Sequence, residues 1–246
     1  MFARWKFERI CMKELLKSGF EQLNIQVSEK QIDMLVKYGE MLIEWNEKIN
    51  LTAITEERDV AIKHFLDCAT CLNAVDLKGK VIDVGTGAGF PGLVLKILKP
   101  EIELYLLDSL NKRLLFLDAV IKELSLENVT LIHARAEDGG RDKKLREKFD
   151  FSVSRAVANL ATLSEYCLPF LKDNGHFVAM KGPDAENEVQ EAKGAVKKLS
   201  SELVEIKKAD IPFTDLKHCI VLIKKLRQIP SAYPRKAGKP SKEPLK

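Results

Sequence analysis

The spacing of hydrophobic residues divides the chain into an N-terminal part of helical period and a longer part built from short strands. From about residue 12 to 75, apolar side chains recur every three or four positions, which is typical of amphipathic helices. Ser28 is followed three residues later by Gln31, the pattern of a capping box that opens a helix. We therefore predict that residues 1–77 form a helical segment that packs on the rest of the protein.

Beyond residue 77 the chain contains seven short runs rich in aliphatic and β-branched side chains. These runs are residues 81–84, 104–107, 129–132, 149–153, 177–180, 203–209 and 219–223. Helical stretches separate them, notably at 112–124 and 160–171, and this alternation predicts a doubly wound parallel sheet. The last two runs are joined by a loop containing Pro212 rather than by a helix, so an antiparallel hairpin is expected at the sheet edge. Residues 78–225 are assigned to this α/β domain.

Residues 226–246 form a basic tail rich in proline. They hold six basic residues and a single acid, whereas the rest of the chain is close to neutral within an overall charge of +4. Four prolines argue against a helix and predict an extended strap. A basic strap suits a polyanion such as nucleic acid, and a solvated tail that only keeps the protein soluble explains the charge equally well.

The composition is that of an ordinary globular protein, with 46% hydrophobic and 31% charged residues, which excludes disorder over most of the chain. No apolar run approaches the roughly 20 residues that span a bilayer, and the N-terminus lacks the apolar core of a signal peptide. Five cysteines, an odd number, fit reduced thiols better than a disulfide framework. We expect a cytoplasmic protein without a membrane partner.

The most specific local motif is a glycine-rich loop, residues 83–92, directly after the first predicted strand. Such a loop lets the backbone approach a ligand closely before a helix begins. A dinucleotide fingerprint needs a third glycine where Phe90 stands, and a P-loop needs a Gly-Lys-Ser/Thr that is absent. An acid two positions before the first glycine suits a cationic ligand, and S-adenosylmethionine carries an ammonium and a sulfonium. The loop supplies the candidate contacts Asp83, Gly85, Gly87, Gly89 and Phe90.

Acidic residues also follow the next two strands. Asp108 comes 19 residues after Gly89, where a carboxylate can accept hydrogen bonds from both ribose hydroxyls. Ala136 and Glu137 follow the third strand and are expected beside the adenine. Strand ends often carry acids, so each residue alone is weak evidence. Because three such positions converge at one sheet edge, together they predict a cofactor crevice.

Ordered blocks of sequence extend along almost the whole chain. They are Trp45-Asn46-x-x-x-Asn50-Leu51-Thr52, residues 64–67, the 83–92 loop, residues 107–113, 135–137 and 154–158, Lys181-Gly182, and residues 233–240. With these blocks in this order, the chain resembles the 16S ribosomal RNA guanine-N7 methyltransferase G family, also called glucose-inhibited division protein B. The chain departs from the family at Cys68, where serine is usual, and in its first eleven residues.

The resemblance implies a class I S-adenosylmethionine-dependent methyltransferase: a Rossmann-like, seven-stranded α/β sheet with an antiparallel last strand and an N-terminal helical extension. It implies S-adenosylmethionine as cofactor and N7 of a guanosine in the 530 loop of 16S ribosomal RNA as acceptor. The expected partner is therefore the small ribosomal subunit or its RNA, and no obligate protein partner is evident. The cofactor contacts it implies are Gly85, Phe90, Asp108, Ala136, Glu137 and Arg155.

Guanine N7 needs little chemical assistance, because its lone pair lies in the ring plane and bears no proton. No general base is expected, and the rate would come from placing N7 against the methyl carbon. Arg155 and Lys181 follow the fourth and fifth predicted strands and are predicted to position the base through its O6. Further candidate RNA contacts, each with an ordinary surface role as the alternative, are Arg135, Lys181, Lys217, Arg235 and Lys236.

The sequence alone leaves other interpretations of the function and of individual residues open. His64, Cys68 and Cys71 share a helix face but lack a fourth ligand, so packing is expected there and no metal site. The resemblance also makes His64 and Asp67 candidate contacts near the acceptor. The chain could instead be a non-catalytic RNA- or ribosome-binding module, or a methyltransferase for another RNA, a small molecule or a protein. All proposed cofactor residues lie between 83 and 155, so removing the tail is expected to leave cofactor affinity unchanged.

Overall fold

In the described part of the chain, seven strands form one mixed sheet in the order β3-β2-β1-β4-β5-β7-β6. Its strands are β1 Lys80–Val84, β2 Glu103–Asp108, β3 Val129–His133, β4 Phe149–Arg155, β5 Leu171–Lys181, β6 Ser201–Asp210 and β7 Lys217–Lys225. The computed structural model describes residues 2–155 and 158–246, with residues 2–11 described as backbone only. Strands β1 to β5 are parallel, and β7 is antiparallel to both β5 and β6. The predicted parallel sheet with a final antiparallel hairpin is confirmed.

Helices cover both faces of the sheet. They are α1 Phe2–Gln22, α2 Glu29–Asn46, α3 Glu57–Val60, α4 Asp67–Ala69, α5 Cys71–Ala74, α6 Gly92–Leu98, α7 Asn111–Glu123, α8 Ala136–Gly139, α9 Leu160–Cys167, α10 Ala185–Lys198 and α11 Lys239–Lys242. A π-helical segment, Ala61–Leu66, joins α3 to α4, and a 3-10 turn, Leu168–Phe170, follows α9. Among the described residues, none of these helices combines the length and apolar character that crossing a membrane requires.

The N-terminal helices share a hydrophobic core with one face of the sheet. Buried side chains of α1 and α2, such as Phe20 and Leu35, belong to the same cluster as those of β1, α6 and α7. The predicted capping box is confirmed: Ser28 Oγ accepts from the Gln31 N–H at 3.3 Å, and Gln31 Oε1 accepts from the Ser28 N–H at 2.9 Å. Tyr38 of α2 is fully buried, and its hydroxyl donates to the Ala88 carbonyl. The helical extension therefore supports the glycine loop directly.

The basic tail, residues 226–246, packs on the opposite face beside α8 and α9. Ile229 and Leu245 are buried in the cluster that contains α9 and α10. Residues 239–242 form the helical turn α11, which corrects the expectation that the tail contains no helix. Pro240 stands in the first turn of α11, where a missing N–H costs no intrahelical hydrogen bond. The tail is thus a docked part of the fold rather than a free strap.

Candidate active site

A cavity of about 500 Å³ opens at the carboxyl ends of β1, β2 and β3, within the usual range of small-ligand sites. Seven predicted cofactor residues share its lining, namely Gly85, Gly87, Phe90, Asp108, Ala136, Glu137 and Arg155. They reach one place because the carboxyl ends of parallel strands meet at the same edge of a sheet. The structure therefore brings these residues together, and their contacts with a cofactor stay predictions.

The glycine loop forms one wall of the cavity. Gly85 and Gly87 have φ angles of +74° and +61°, a backbone region in which side chains are strained. A Cβ on Gly87 would meet no atom of the described residues within 4 Å, so it would project into open space. The Gly87 N–H donates to Asp108 Oδ2 at 2.9 Å. The loop thus leaves room for a ligand where a side chain would otherwise stand.

Asp83 and Gly89, two loop residues that were predicted to contact the cofactor, lie behind the glycine loop rather than at the cavity. Asp83 is fully buried, and its Oδ2 accepts from the Thr86 hydroxyl at 2.7 Å and from the Gly92 N–H at 2.8 Å. A Cβ on Gly89 would lie only 2.4 Å from the Tyr38 hydroxyl. Neither residue belongs to the cavity wall. The structure gives both residues intramolecular roles, since Asp83 braces the turn and Gly89 permits close packing on α2, and a direct cofactor contact by either stays a prediction.

Burial raises the pKa of Asp83 to about 7, and the hydrogen bonds from Thr86 and Gly92 only partly offset this desolvation. Its Oδ1 has no hydrogen-bond partner in the described part of the chain. Asp83 is therefore a carboxyl group whose charge is poorly solvated at neutral pH.

Asp108, the last residue of β2, presents a buried carboxylate to the cavity. Its Oδ1 accepts from the Leu110 N–H at 2.9 Å, and its Oδ2 accepts from Gly87 and from Arg113 Nη1 at 3.2 Å. A carboxylate has about four acceptor sites, so Asp108 keeps capacity for a further donor. A ribose hydroxyl is a donor of the required kind.

Glu137 and Tyr166 form the next part of the wall, together with the tail. Glu137 Oε1 accepts from the Gly238 N–H at 2.8 Å. Burial and the neighbouring Glu137 carboxylate raise the pKa of Tyr166. Gly238 and Ser241 line the cavity beside them. The tail residues are an addition that local sequence patterns did not predict, although residues 233–240 formed one of the family blocks.

Arg155, the last residue of β4, is the centre of a polar network on the other side of the cavity. Its Nη1 donates to the Lys63 carbonyl and to Asp67 Oδ2, each at 2.9 Å. Its guanidinium lies 5.0 Å from the centre of the Phe90 ring. Asp67 is buried and also bonds His218 Nδ1 through Oδ1 at 2.9 Å. The network fixes the arginine and links the start of β7 to α4.

His64 of the π-helical segment is also part of this network, and its imidazole ring is neutral. Burial, followed by the nearby Arg155 charge, lowers the pKa of His64 to about 3. Its Nδ1 lies 2.7 Å from Arg155 Nη2, which can only donate, so Nε2 carries the proton and faces Thr52 Oγ1 at 2.9 Å. Asn46 accepts the N–H groups of Leu51 and Thr52 and holds this loop against the cavity. A pattern of the kind Asn-x-x-x-Asn-Leu-Thr could have indicated Thr52 as a lining residue.

The remaining predicted RNA contacts have different surroundings. Arg135 lines the cavity and is exposed, and Lys217 and Lys236 are exposed on the surface. Lys181 ends β5 as predicted, but its Nζ bonds Glu188 Oε2 at 2.7 Å and the Ala158 carbonyl at 2.9 Å, away from the cavity wall. Arg235 pairs with the buried Glu165. The structure therefore gives Lys181 and Arg235 intramolecular partners, and an RNA contact by either stays a prediction.

The cysteines near His64 are packed rather than reactive. Cys68 and Cys71 are buried, and burial raises the pKa of both thiols. Within residues 12–155 and 158–246, no group of three His, Cys, Asp or Glu side chains could hold a metal ion.

S-adenosylmethionine suits this cavity, since Gly87 leaves open space and Asp108 offers acceptor capacity to its ribose. The seven-stranded sheet, with an antiparallel β7 between β5 and β6, carries that cavity at its carboxyl edge. Together they define a class I methyltransferase that uses S-adenosylmethionine as cofactor. The solved YcgJ protein of Bacillus subtilis has the same fold, with a TM-score of 0.50 at 13% identity over 67% of this chain and 99% of that chain.

The family follows from sequence. The model of the GidB family, rRNA small subunit methyltransferase G, matches residues 31–216, and the chain belongs to this family. A protein of Alkaliphilus oremlandii named ribosomal RNA small subunit methyltransferase G is 56% identical, over 96% of this chain and 99% of that protein. A protein of the same name from Clostridium tetani is 49% identical, over 95% of this chain and 98% of that protein. The resemblance noted in the sequence is thereby confirmed, and a non-catalytic scaffold is set aside.

Proposed function

We propose that this protein transfers the methyl group of S-adenosylmethionine to N7 of a guanosine in the 530 loop of 16S ribosomal RNA. The name shared by its relatives supports small-subunit ribosomal RNA as the substrate. The family resemblance of the sequence supports the guanosine, its N7 and the 530 loop. The geometry around Arg155 is the structural observation that carries the proposal.

Arg155 supplies a fixed cation in the same cavity as the donor residues. Three of its N–H groups are engaged by Lys63, Asp67 and His64, which hold the planar guanidinium in one orientation over Phe90. An arginine has five N–H donors, so two have no partner among the described residues and can serve an acceptor molecule. Guanine O6 is an acceptor next to N7, so an arginine that donates to O6 can orient the base and leave the N7 lone pair free for the methyl group. Arg155 is therefore suited to position a guanine.

The two titratable side chains that Arg155 contacts are already engaged in the described part of the chain. Asp67 accepts from Arg155 and His218, and His64 accepts from Arg155 while it stays neutral. Such groups are poorly placed to remove a proton from an acceptor. N7 of guanine bears no proton, so its methylation needs none removed. The electrostatics thus favour N7 over an exocyclic amine.

Bound S-adenosylmethionine would supply a sulfonium-activated methyl carbon that the N7 lone pair could attack in line, with S-adenosylhomocysteine as the leaving group. The protein's contribution is then positional: the glycine loop and Asp108 hold the donor side, and Arg155 holds the acceptor side. Because the Arg155 network includes Thr52 and His64, the N-terminal segment takes part in the site. This division of roles predicts separable defects in donor and acceptor binding.

The decisive experiment is nucleoside mass spectrometry of 16S ribosomal RNA from cells that lack the protein. We expect one 7-methylguanosine, located in the 530 loop, to be lost and to return when the wild-type gene is restored. Arg155→Lys keeps the charge beside Asp67 but loses the planar fork, so it should restore much less methylation. The matched control is Arg58→Lys, since Arg58 is on α3 and does not line the cavity. An unchanged 530 loop, or loss of a methyl group on another atom or nucleotide, would contradict the proposal.

A further inference from the structure

A fully buried carboxylate lies beneath the basic tail. Glu165 of α9 has no exposed side-chain surface, and Arg235 is bound to it in a two-pronged arrangement. Arg235 Nη2 lies 2.7 Å from Glu165 Oε2, and its Nε lies 2.9 Å from Oε1. The backbone N–H of Arg235 also donates to Oε1 at 2.7 Å. Since a buried charge without a partner is costly, Glu165 strongly favours the docked tail.

Other side chains of the core hold the tail on both sides of this ion pair. Arg146 donates to the carbonyls of Ile229 and Tyr233 at 2.9 and 2.7 Å. The Thr162 hydroxyl donates to the Pro240 carbonyl at 3.1 Å. These contacts go to backbone carbonyls, so they fix the path of the tail whatever side chains it carries.

This path brings two tail residues to the cavity. Gly238 and Ser241 line it, and the Gly238 N–H donates to Glu137. Gly238 has a φ of +80°, and a Cβ there would meet no atom within 4 Å in the part of the chain that the structure describes. Gly87 in the glycine loop has the same two properties. The cavity is thus bordered by two glycines from distant parts of the chain, each leaving open space where a side chain would project.

We propose that the tail is part of the S-adenosylmethionine site, with residues 238–241 as the wall beside Glu137. In this arrangement Arg235 is a positioning residue: it touches Glu165 rather than the cofactor, and it holds the wall in place. Glu137 follows β3, next to the strand whose Asp108 is assigned to the ribose, so the tail would border the adenine end of the cofactor. The inference concerns only the methyl donor and holds whichever nucleoside is methylated.

The proposal reverses one expectation from the sequence, namely that removing the tail leaves cofactor affinity unchanged. That expectation counted only residues 83–155. The structure adds Gly238 and Ser241 to the cavity wall through contacts that span about 70 to 100 positions of the chain.

Deletion of residues 237–246 is the most direct test, because it removes the wall and leaves Arg235 to neutralise Glu165. Isothermal titration calorimetry with S-adenosylmethionine and with S-adenosylhomocysteine should show affinity at least tenfold weaker than in the full chain. Circular dichroism should show the sheet intact. Affinity within twofold of the full chain, in a folded deletion variant, would overturn the proposal.

Substitutions of Arg235 then test whether this residue acts by holding the tail wall in place. Arg235→Gln should raise KM for S-adenosylmethionine at least tenfold with little change in kcat, and Arg235→Lys should restore part of the affinity. The matched control is Arg227→Gln, an exposed arginine of the same tail, which should leave KM unchanged. A fall in kcat at constant KM would contradict a role in holding the donor site.

Hydrogen exchange on the unmodified full chain decides the matter even if the variants fold poorly. Addition of S-adenosylhomocysteine should slow exchange of backbone amides in residues 237–243 as well as in the glycine loop. Protection of the loop with no change in residues 237–243 would overturn the proposal.

Discussion

The backbone N–H of Gly87 donates to Oδ2 of Asp108 at 2.9 Å, so the glycine loop after β1 is tied to the end of β2. The bond joins residues 21 positions apart and aligns two features that we expect to bind the cofactor in different ways. The loop offers open space, and the carboxylate offers acceptor atoms. Substituting either residue should therefore weaken donor binding by a distinct physical route.

Asp108→Ala should weaken S-adenosylmethionine binding by about 1–3 kcal/mol, the usual contribution of hydrogen bonds to a charged group. The substitution also frees Gly87 and Leu110 from their acceptor, which loosens the loop. Calorimetry measures the affinity. Asp118→Ala removes an exposed carboxylate on the following helix, and its affinity should match wild type. If both variants bind equally well, Asp108 does not hold the ribose.

Gly87→Val should abolish measurable S-adenosylmethionine binding while the protein stays folded. The added side chain enters the open space of the cavity, and the φ of +61° adds roughly 1–2 kcal/mol of strain. The matched control is Gly182→Val, since a Cβ on Gly182 also meets no described atom within 4 Å but lies outside the cavity wall. Thermal unfolding checks the fold of both variants. Retained binding by the Gly87 variant would place the cofactor elsewhere.

His64 should make folding stability depend on pH in the acid range. Its pKa in the folded protein is about 3, below the ordinary value of 6.5, so the unfolded chain binds the extra proton between these values. Stability should therefore fall as pH drops from 6.5 towards 3, by up to about 1.4 kcal/mol per pH unit from this group. Urea titrations of wild type and His64→Gln should differ in slope over that window.

The control for this prediction is His133→Gln, which replaces an exposed histidine of β3. It removes an imidazole that lies outside the His64 network, so its urea titrations supply the comparison. The ¹⁵N shifts of His64 should also show a neutral ring with the proton on Nε2 at pH 5. A charged His64 at that pH would refute the assigned hydrogen bonds to Arg155 and Thr52.

Exposed lysines of the tail should contact RNA phosphates without reading the sequence. Replacing Lys236, Lys239 and Lys242 together by Gln should lower the log–log salt slope of RNA binding by up to about 2 for single-stranded contacts. Filter binding across a salt series measures the slope. The same change at Lys193, Lys197 and Lys198, three exposed lysines of α10, should not alter it. If both triple variants have the same salt slope of RNA binding, the tail lysines do not contact RNA phosphates and their charge serves only solubility.

Local patterns along the chain determined the sheet, the glycine loop and the cavity residues that follow strands. Period-two and period-three-to-four spacing reports burial on strands and helices, and parallel strands bring their carboxyl ends to one edge. Asp108, Glu137 and Arg155 could therefore be assigned to one site from the sequence. Each of them needed only its position relative to its own strand.

Tertiary structure decided which of the predicted side chains face the cavity and which are used elsewhere. Asp83 turns behind its loop to Thr86 and Gly92, and Gly89 packs on Tyr38, a contact that depends on how α2 docks. Lys181 forms an ion pair with Glu188. Glu188 lies on α10, and no local sequence pattern predicted that this helix packs beside Lys181.

The basic tail shows most clearly that local sequence patterns do not predict which partner a side chain meets. Its composition indicated a solvated or RNA-bound strap, and its docking depends on Glu165, a buried acid 70 residues away from Arg235. The net charge of a segment is a sum over its residues, so it can be counted from the sequence and indicates which kinds of partner the segment could attract. Whether a particular charge meets solvent, RNA or a buried partner depends on contacts between distant segments, and only the folded chain brings those segments together.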